Sequence, residues 1–130
     1  TMKYLGIDFG LVHLGLAFAD GPLAETLTEK TYRTETEALA FLTRICEEQE
    51  IEALVFGLPE GKLALTIKSF VQKLTNMVHL PVYFQDETLS TLEAKQKMFS
   101  AGVPQAKRRH DHVAAAALIL QDYLDTINHV

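Results

Sequence analysis

The chain has 130 residues, 48% hydrophobic and 22% charged, which is enough apolar material for one packed domain and too much for wholesale disorder. Its net charge of −5 argues against a sequence-independent coat for DNA or RNA, and its single cysteine, Cys46, excludes an internal disulfide. No apolar run reaches membrane-spanning length and Met2 opens a strand pattern, so a cytoplasmic protein with no membrane partner is expected, with Thr1 a residue left over from expression.

Residues 3 to 9 run apolar into Asp8 and predict a strand. A second run, "HLGLAFAD", follows the turn at Gly10, and the two suggest an antiparallel hairpin. "TEKTYRT" predicts a third, more polar strand near an edge. Thr34 with Glu37 resembles a capping box, and Leu39, Leu42, Ile45 and Cys46 behind it predict a helix over 35–49. "ALVFGLP" has the unbroken apolar character of a strand buried on both faces. Apolar spacing predicts a helix over 63–78, and "PVYFQDE" a short strand closed by two acids. "TLSTLEAKQKMFSAG" predicts a helix ended by Gly102, and "VAAAALILQDYLDTI" the last one. Three strands in a meander, then alternating helices and strands, describe an α/β chain whose mixed five-stranded sheet carries helices on both faces.

Asp8 is the only acid in its strand before the turn, and a buried carboxylate without a partner is unfavourable. It therefore caps a turn at a strand end, pairs with a cation, or holds a metal. Asp86 and Glu87 close their strand, and Asp111 opens the last helix. If the first, fourth and fifth strands lie parallel, these acids meet at the carboxyl edge of the sheet, where ligands bind in open α/β folds. Converging carboxylates need a cation, and oxygen donors select Mg²⁺ or Mn²⁺. Such ions suit displacement at phosphorus.

The motifs "GIDFG", "GLAFAD", "VFGLP", "DETLSTLEA" and "DHVAAAALILQDYL", in this order, resemble the YqgF/RuvX family. That is an RNase H-like nuclease family described with pre-16S rRNA and, formerly, with Holliday junctions. The resemblance spans essentially the whole chain and implies a single RNase H-like domain over 1–130. It implies a metal-dependent endonuclease acting on structured nucleic acid, with 5′-end processing of pre-16S rRNA in ribosome biogenesis as the first expectation. Resolution of four-way DNA junctions is the alternative, and a nucleic-acid-binding module with weakened catalysis is a further one. The implied catalytic residues are Asp8, Asp86, Glu87 and Asp111, with Asp8, Glu87 and Asp111 as metal ligands. A shift of one residue in the match at Asp111 would turn that side chain by about 100°. Where the family usually has a Lys-Arg pair this chain has Val12 and His13, and Thr88 stands where an arginine is usual.

Lys107, Arg108 and Arg109 form the tight basic cluster and are the first candidates for a nucleic-acid backbone, with His13 as a further phosphate donor. His110 and His112 lack the spacing of a zinc pair. Glu60, after "GLP", reads as a turn residue, and Lys62, Lys68 and Lys73 as the polar face of their helix. "GIDFG" also opens sugar kinases and chaperone-type ATPases, but no second lobe or further glycine-rich loop is present to enclose a nucleotide. Oligomeric state, monomer or homodimer, is left open.

Overall fold

The computed structural model describes residues 1–86 and 112–128. The helix expected over 88–102 lies outside these, as do Glu87, Thr88, Lys107, Arg108, Arg109, His110 and Asp111. The elements are β1 (Lys3–Phe9), β2 (His13–Asp20), β3 (Ala24–Thr31), α1 (Glu35–Glu48), β4 (Ala53–Leu58), α2 (Lys62–Val78), β5 (Val82–Asp86) and α3 (His112–Ile127). The five strands form one sheet in the order β3-β2-β1-β4-β5. β1 pairs antiparallel with β2 and parallel with β4, β2 antiparallel with β3, and β4 parallel with β5. This is the mixed sheet expected from the order of the elements, and β1, β4 and β5 do share a carboxyl edge.

Side chains alternate along each strand, so the sheet has two different faces. One face carries Leu5, Ile7, Phe9, Leu14, Leu16, Leu54 and Phe56, packed with Ala38, Leu42, Ile45 and Cys46 of α1 and Ile67, Phe70, Val71 and Leu74 of α2. The other carries Tyr4, Ala17, Ala19, Ala53 and Val55 under Ala116, Ile119, Leu120 and Leu124 of α3. β4 is buried on both sides because it supplies alternate residues to both layers.

α1 starts as its sequence requires. The Glu37 N–H donates to Thr34 Oγ1 at 3.2 Å, and Glu37 Oε2 accepts from the Arg33 N–H at 3.3 Å. The third strand differs from expectation: it runs over Ala24–Thr31 rather than into residue 34. Its start is set by pairing with the whole of β2, from Ala19↔Ala24 to His13↔Thr31. Its end is set by Tyr32, whose N–H donates to the Val12 carbonyl, and by Thr34, which is committed to the cap of α1. Among the described residues no helix is long and apolar enough to cross a membrane.

Candidate active site

Asp8 is the next-to-last residue of β1, at the carboxyl edge. Alternation puts its side chain on the same face as Tyr4 and Gly6, beneath α3, and it is only 7% exposed. Among the described residues it is the one buried charged side chain. A carboxylate held there needs a donor, and His112, the first residue of α3, brings Nδ1 to 3.2 Å from Asp8 Oδ2. A carboxylate only accepts, so the imidazole nitrogen facing it carries the proton.

Two glycines let the helix come this close. Gly15 lies opposite Asp8 in the β1–β2 register, and a Cβ there would sit 2.0 Å from the His112 carbonyl oxygen. At Gly6 a Cβ would fall 2.7 Å from Leu120 Cβ and 3.0 Å from the Ala116 carbonyl oxygen. With Ala17 and Ala19 fully buried beside them, the β1–β2 ribbon offers α3 a floor of backbone and methyl groups.

His13 shares that face with Gly15. It was a candidate phosphate donor; the structure sets its ring against His112, centroids 5.2 Å apart and planes 24° from parallel. His13 Nδ1 lies 3.1 Å from Thr31 Oγ1, on the strand beyond. The turn leading into His13 is held by Gly10 N–H donating to the His13 carbonyl at 2.8 Å and Tyr32 N–H donating to the Val12 carbonyl at 2.9 Å. The Tyr32 hydroxyl donates to the Gly10 carbonyl. Burial, then the nearby Glu35 carboxylate, raise the Tyr32 phenol above its ordinary range, so it stays a donor throughout the neutral region.

Asp86 reaches the same edge but the other face. It pairs with Leu58, two places beyond Phe56↔Phe84, so alternation directs it toward the α1–α2 side while Asp8 points toward α3. β4 also stands between their strands. Glu60 is exposed in the turn before α2, in keeping with a turn residue. Among the described residues no three His, Cys, Asp or Glu side chains converge as a metal group. Asp8 and His112 are the pair the structure brings together.

His112 was missed as a partner for Asp8 because it was weighed only for zinc spacing with His110. A usable signal was present: the stripe Leu120 and Ala116 that packs on Gly6 reaches residue 112, not 111, when carried back another four.

Residues 2–126 match the family described as "RuvX: Holliday junction resolvase". The chain belongs to the RuvX family. This is a nuclease family, and two relatives of this RuvX chain carry the name "Putative pre-16S rRNA nuclease". The one from Anaeromyxobacter dehalogenans is 37% identical over 133 residues, covering 95% of this chain and 97% of the relative. The one from Protochlamydia amoebophila is 35% identical over 140 residues, covering 95% and 93%. Among solved structures, Thermus thermophilus RuvC in complex with a Holliday junction substrate superposes with a TM-score of 0.64. It is 19% identical and covers 99% of this RuvX chain and 97% of its own, a likeness of fold.

Proposed function

We propose that this RuvX chain is a divalent-metal-dependent endonuclease centred on Asp8, and that its substrate is structured RNA at the 5′ end of pre-16S rRNA. The observation that carries the reading is a buried carboxylate at the carboxyl edge of the sheet, oriented by an imidazole from a distant helix. The donor chemistry fits a hard cation: Asp8 supplies carboxylate oxygen, and Glu87 and Asp111, from the family motifs, supply more. When bound, Mg²⁺ or Mn²⁺ would acidify water and neutralise charge at the scissile phosphate. His112 donates its Nδ1–H to one carboxylate oxygen and so limits the directions the other can take. Lys107, Arg108 and Arg109 are assigned to the phosphates flanking the cut, which lets an acidic protein hold an anionic substrate locally. The substrate places the protein in the cytoplasm.

The test is cleavage of a pre-16S 5′-leader RNA in Mg²⁺ or Mn²⁺. Asp8→Asn should lower the rate by roughly 10²–10³-fold or more while the thermal midpoint stays close to that of the unmodified protein. Ca²⁺ should bind without supporting turnover, because its looser coordination positions water poorly. Cleavage that survives Asp8→Asn, or is robust in Ca²⁺, would sink the assignment.

The family description favours a second substrate, the four-way DNA junction. Paired cuts in two strands need a symmetric dimer, whereas trimming RNA does not. A higher kcat/KM on junction DNA, with a dimer in solution, would move the assignment there. Binding of either nucleic acid without any cleavage would make the chain a binding module.

A further inference from the structure

The β1–β2 turn carries two aliphatic side chains at the carboxyl edge of the sheet. Leu11 is 71% exposed and Val12 50%, side by side between the buried Phe9 and Leu14. A lone exposed leucine needs no explanation. Leucine and valine are, however, poor turn residues, since neither favours a turn conformation nor bonds its own backbone through the side chain.

The turn is nonetheless braced. Gly10 N–H donates to the His13 carbonyl at 2.8 Å, Tyr32 N–H donates to the Val12 carbonyl at 2.9 Å, and the Tyr32 hydroxyl donates to the Gly10 carbonyl. Tyr32 is itself buried, its ring centroid 6.1 Å from that of Phe9, so the clamp is anchored in the core. Two apolar side chains thus meet solvent on an ordered backbone, which lowers the entropic cost of packing anything on them.

Leu11 follows Asp8 by three residues, so their α-carbons are at most about 11 Å apart. A stacked strand advances about 3.4 Å per nucleotide, so with the scissile phosphate at Asp8 the tip reaches the next three or so nucleotides. Leu11 and Val12 bring no charge or polar side chain to a phosphate. Aliphatic side chains pack instead on base faces, and a face is open only where a base is unpaired or ends a stack.

We propose that Leu11 and Val12 form a wedge that packs on an unpaired base beside the cut, so that the preferred substrate joins duplex to single strand near the scissile phosphate. This deepens the nuclease reading and rests on it for the placement of the strand at Asp8.

The experiment measures binding by fluorescence anisotropy in Mg²⁺, with Asp8→Asn as the parent protein so that substrate is not consumed. The probes are a blunt RNA hairpin and the same hairpin with a single-stranded 5′ tail. Leu11→Ser with Val12→Ser should weaken binding of the tailed hairpin about tenfold and of the blunt one by less than about twofold. Leu11→Phe, with a larger face, should bind the tailed hairpin at least as well as the parent. The slope of log Kd against log salt should be the same throughout, because no phosphate contact is lost. Both side chains are exposed, so the thermal midpoint should hold; if the double variant does not fold, Leu11→Ser alone takes its place.

The proposal is overturned if the serine variant binds the tailed hairpin as well as the parent does, or if both hairpins lose equally. It is also overturned if Leu11→Phe binds the tailed hairpin worse, or if the salt slope falls by about one. The same hairpins made of DNA separate the tip from the sugar. If only the DNA forms bind, the RNA assignment falls and the tip is judged on them by the same criteria. If the parent binds but the unmodified protein cleaves nothing, the nuclease reading fails and binding alone decides on the tip. Binding to none of the probes overturns both.

Discussion

The two faces of the sheet are built on opposite rules. Of the twelve largest fully buried side chains among the described residues, ten lie in the α1–α2 layer: Leu5, Ile7, Leu14, Leu16, Leu42, Leu54, Phe56, Ile67, Phe70 and Leu74. The other two, Ile119 and Leu120, belong to α3, and the sheet answers them with Gly6, Ala17, Ala19, Ala53 and Val55. Burying a large apolar side chain contributes roughly 1.5–3 kcal/mol, so the first face carries most of the stability. The second gives up bulk and gains proximity. With no Cβ at Gly15, the start of α3 descends until an imidazole touches the buried Asp8 carboxylate. On the proposed function, stability and chemistry fall on opposite sides of one sheet, and each side should respond differently to substitution.

Leu42→Ala on α1 should have the largest effect on stability. The side chain is fully buried, and its loss should cost roughly 2–5 kcal/mol, depending on how far the site collapses. Cleavage per folded molecule should change little, since nothing on the α3 face moves. Gly15→Ala should do the converse. The added methyl would have to push the His112 backbone away, costing roughly 1–3 kcal/mol of stability. A displacement near 1 Å at the reacting groups should lower cleavage about 10²-fold. Gly6→Ala comes next, at roughly 1–2 kcal/mol, because its clash falls on Ala116 and Leu120 rather than on His112. Its effect on cleavage should be well below that of Gly15→Ala. Thermal unfolding and single-turnover cleavage on the three variants measure both quantities. Equal losses of activity for Leu42→Ala and Gly15→Ala would abolish the division of labour.

Much of this division was legible in the sequence, but unevenly. Apolar runs located β1, β2, β4 and α2, because burial on one or both faces imposes a period that few residues violate. Thr34 and Glu37 located the start of α1 through the orphan donors of its first turn. β3 was shifted because its residues are polar and its boundaries come from pairing with β2, a non-local property. Asp8 stood out as a charge inside an apolar strand. Its partner did not, since His112 is separated from it by 104 residues and the two meet only through the depth of the helix approach. Asp86 shows the limit of reading strand ends alone. Counting alternation from Val82, which packs on the α1–α2 core, sends residue 86 to the face away from Asp8.

The smallest predicted effect probes how dry the stabilising face is. Cys46 lies on α1 within that core, and burial, helped by the adjacent Glu47 carboxylate, pushes its thiol up to about 11 from an ordinary 9.0. At neutral pH both folded and unfolded chains keep the proton, so the thiol adds no pH dependence there. Above the ordinary value the unfolded chain ionises first and binds fewer protons than the folded one, so stability falls as pH rises. The loss from this group should be about 1.4 kcal/mol by pH 10 and should level off above the folded value. Lysines and tyrosines titrate in the same range, so the measurement is a difference: urea midpoints of the unmodified protein and Cys46→Val at pH 8 and pH 10. The unmodified protein should lose about 1.3 kcal/mol more than the valine variant over that interval. An equal loss in both would mean that water reaches Cys46, and the contrast between a dry structural face and a working one would weaken at its most buried thiol.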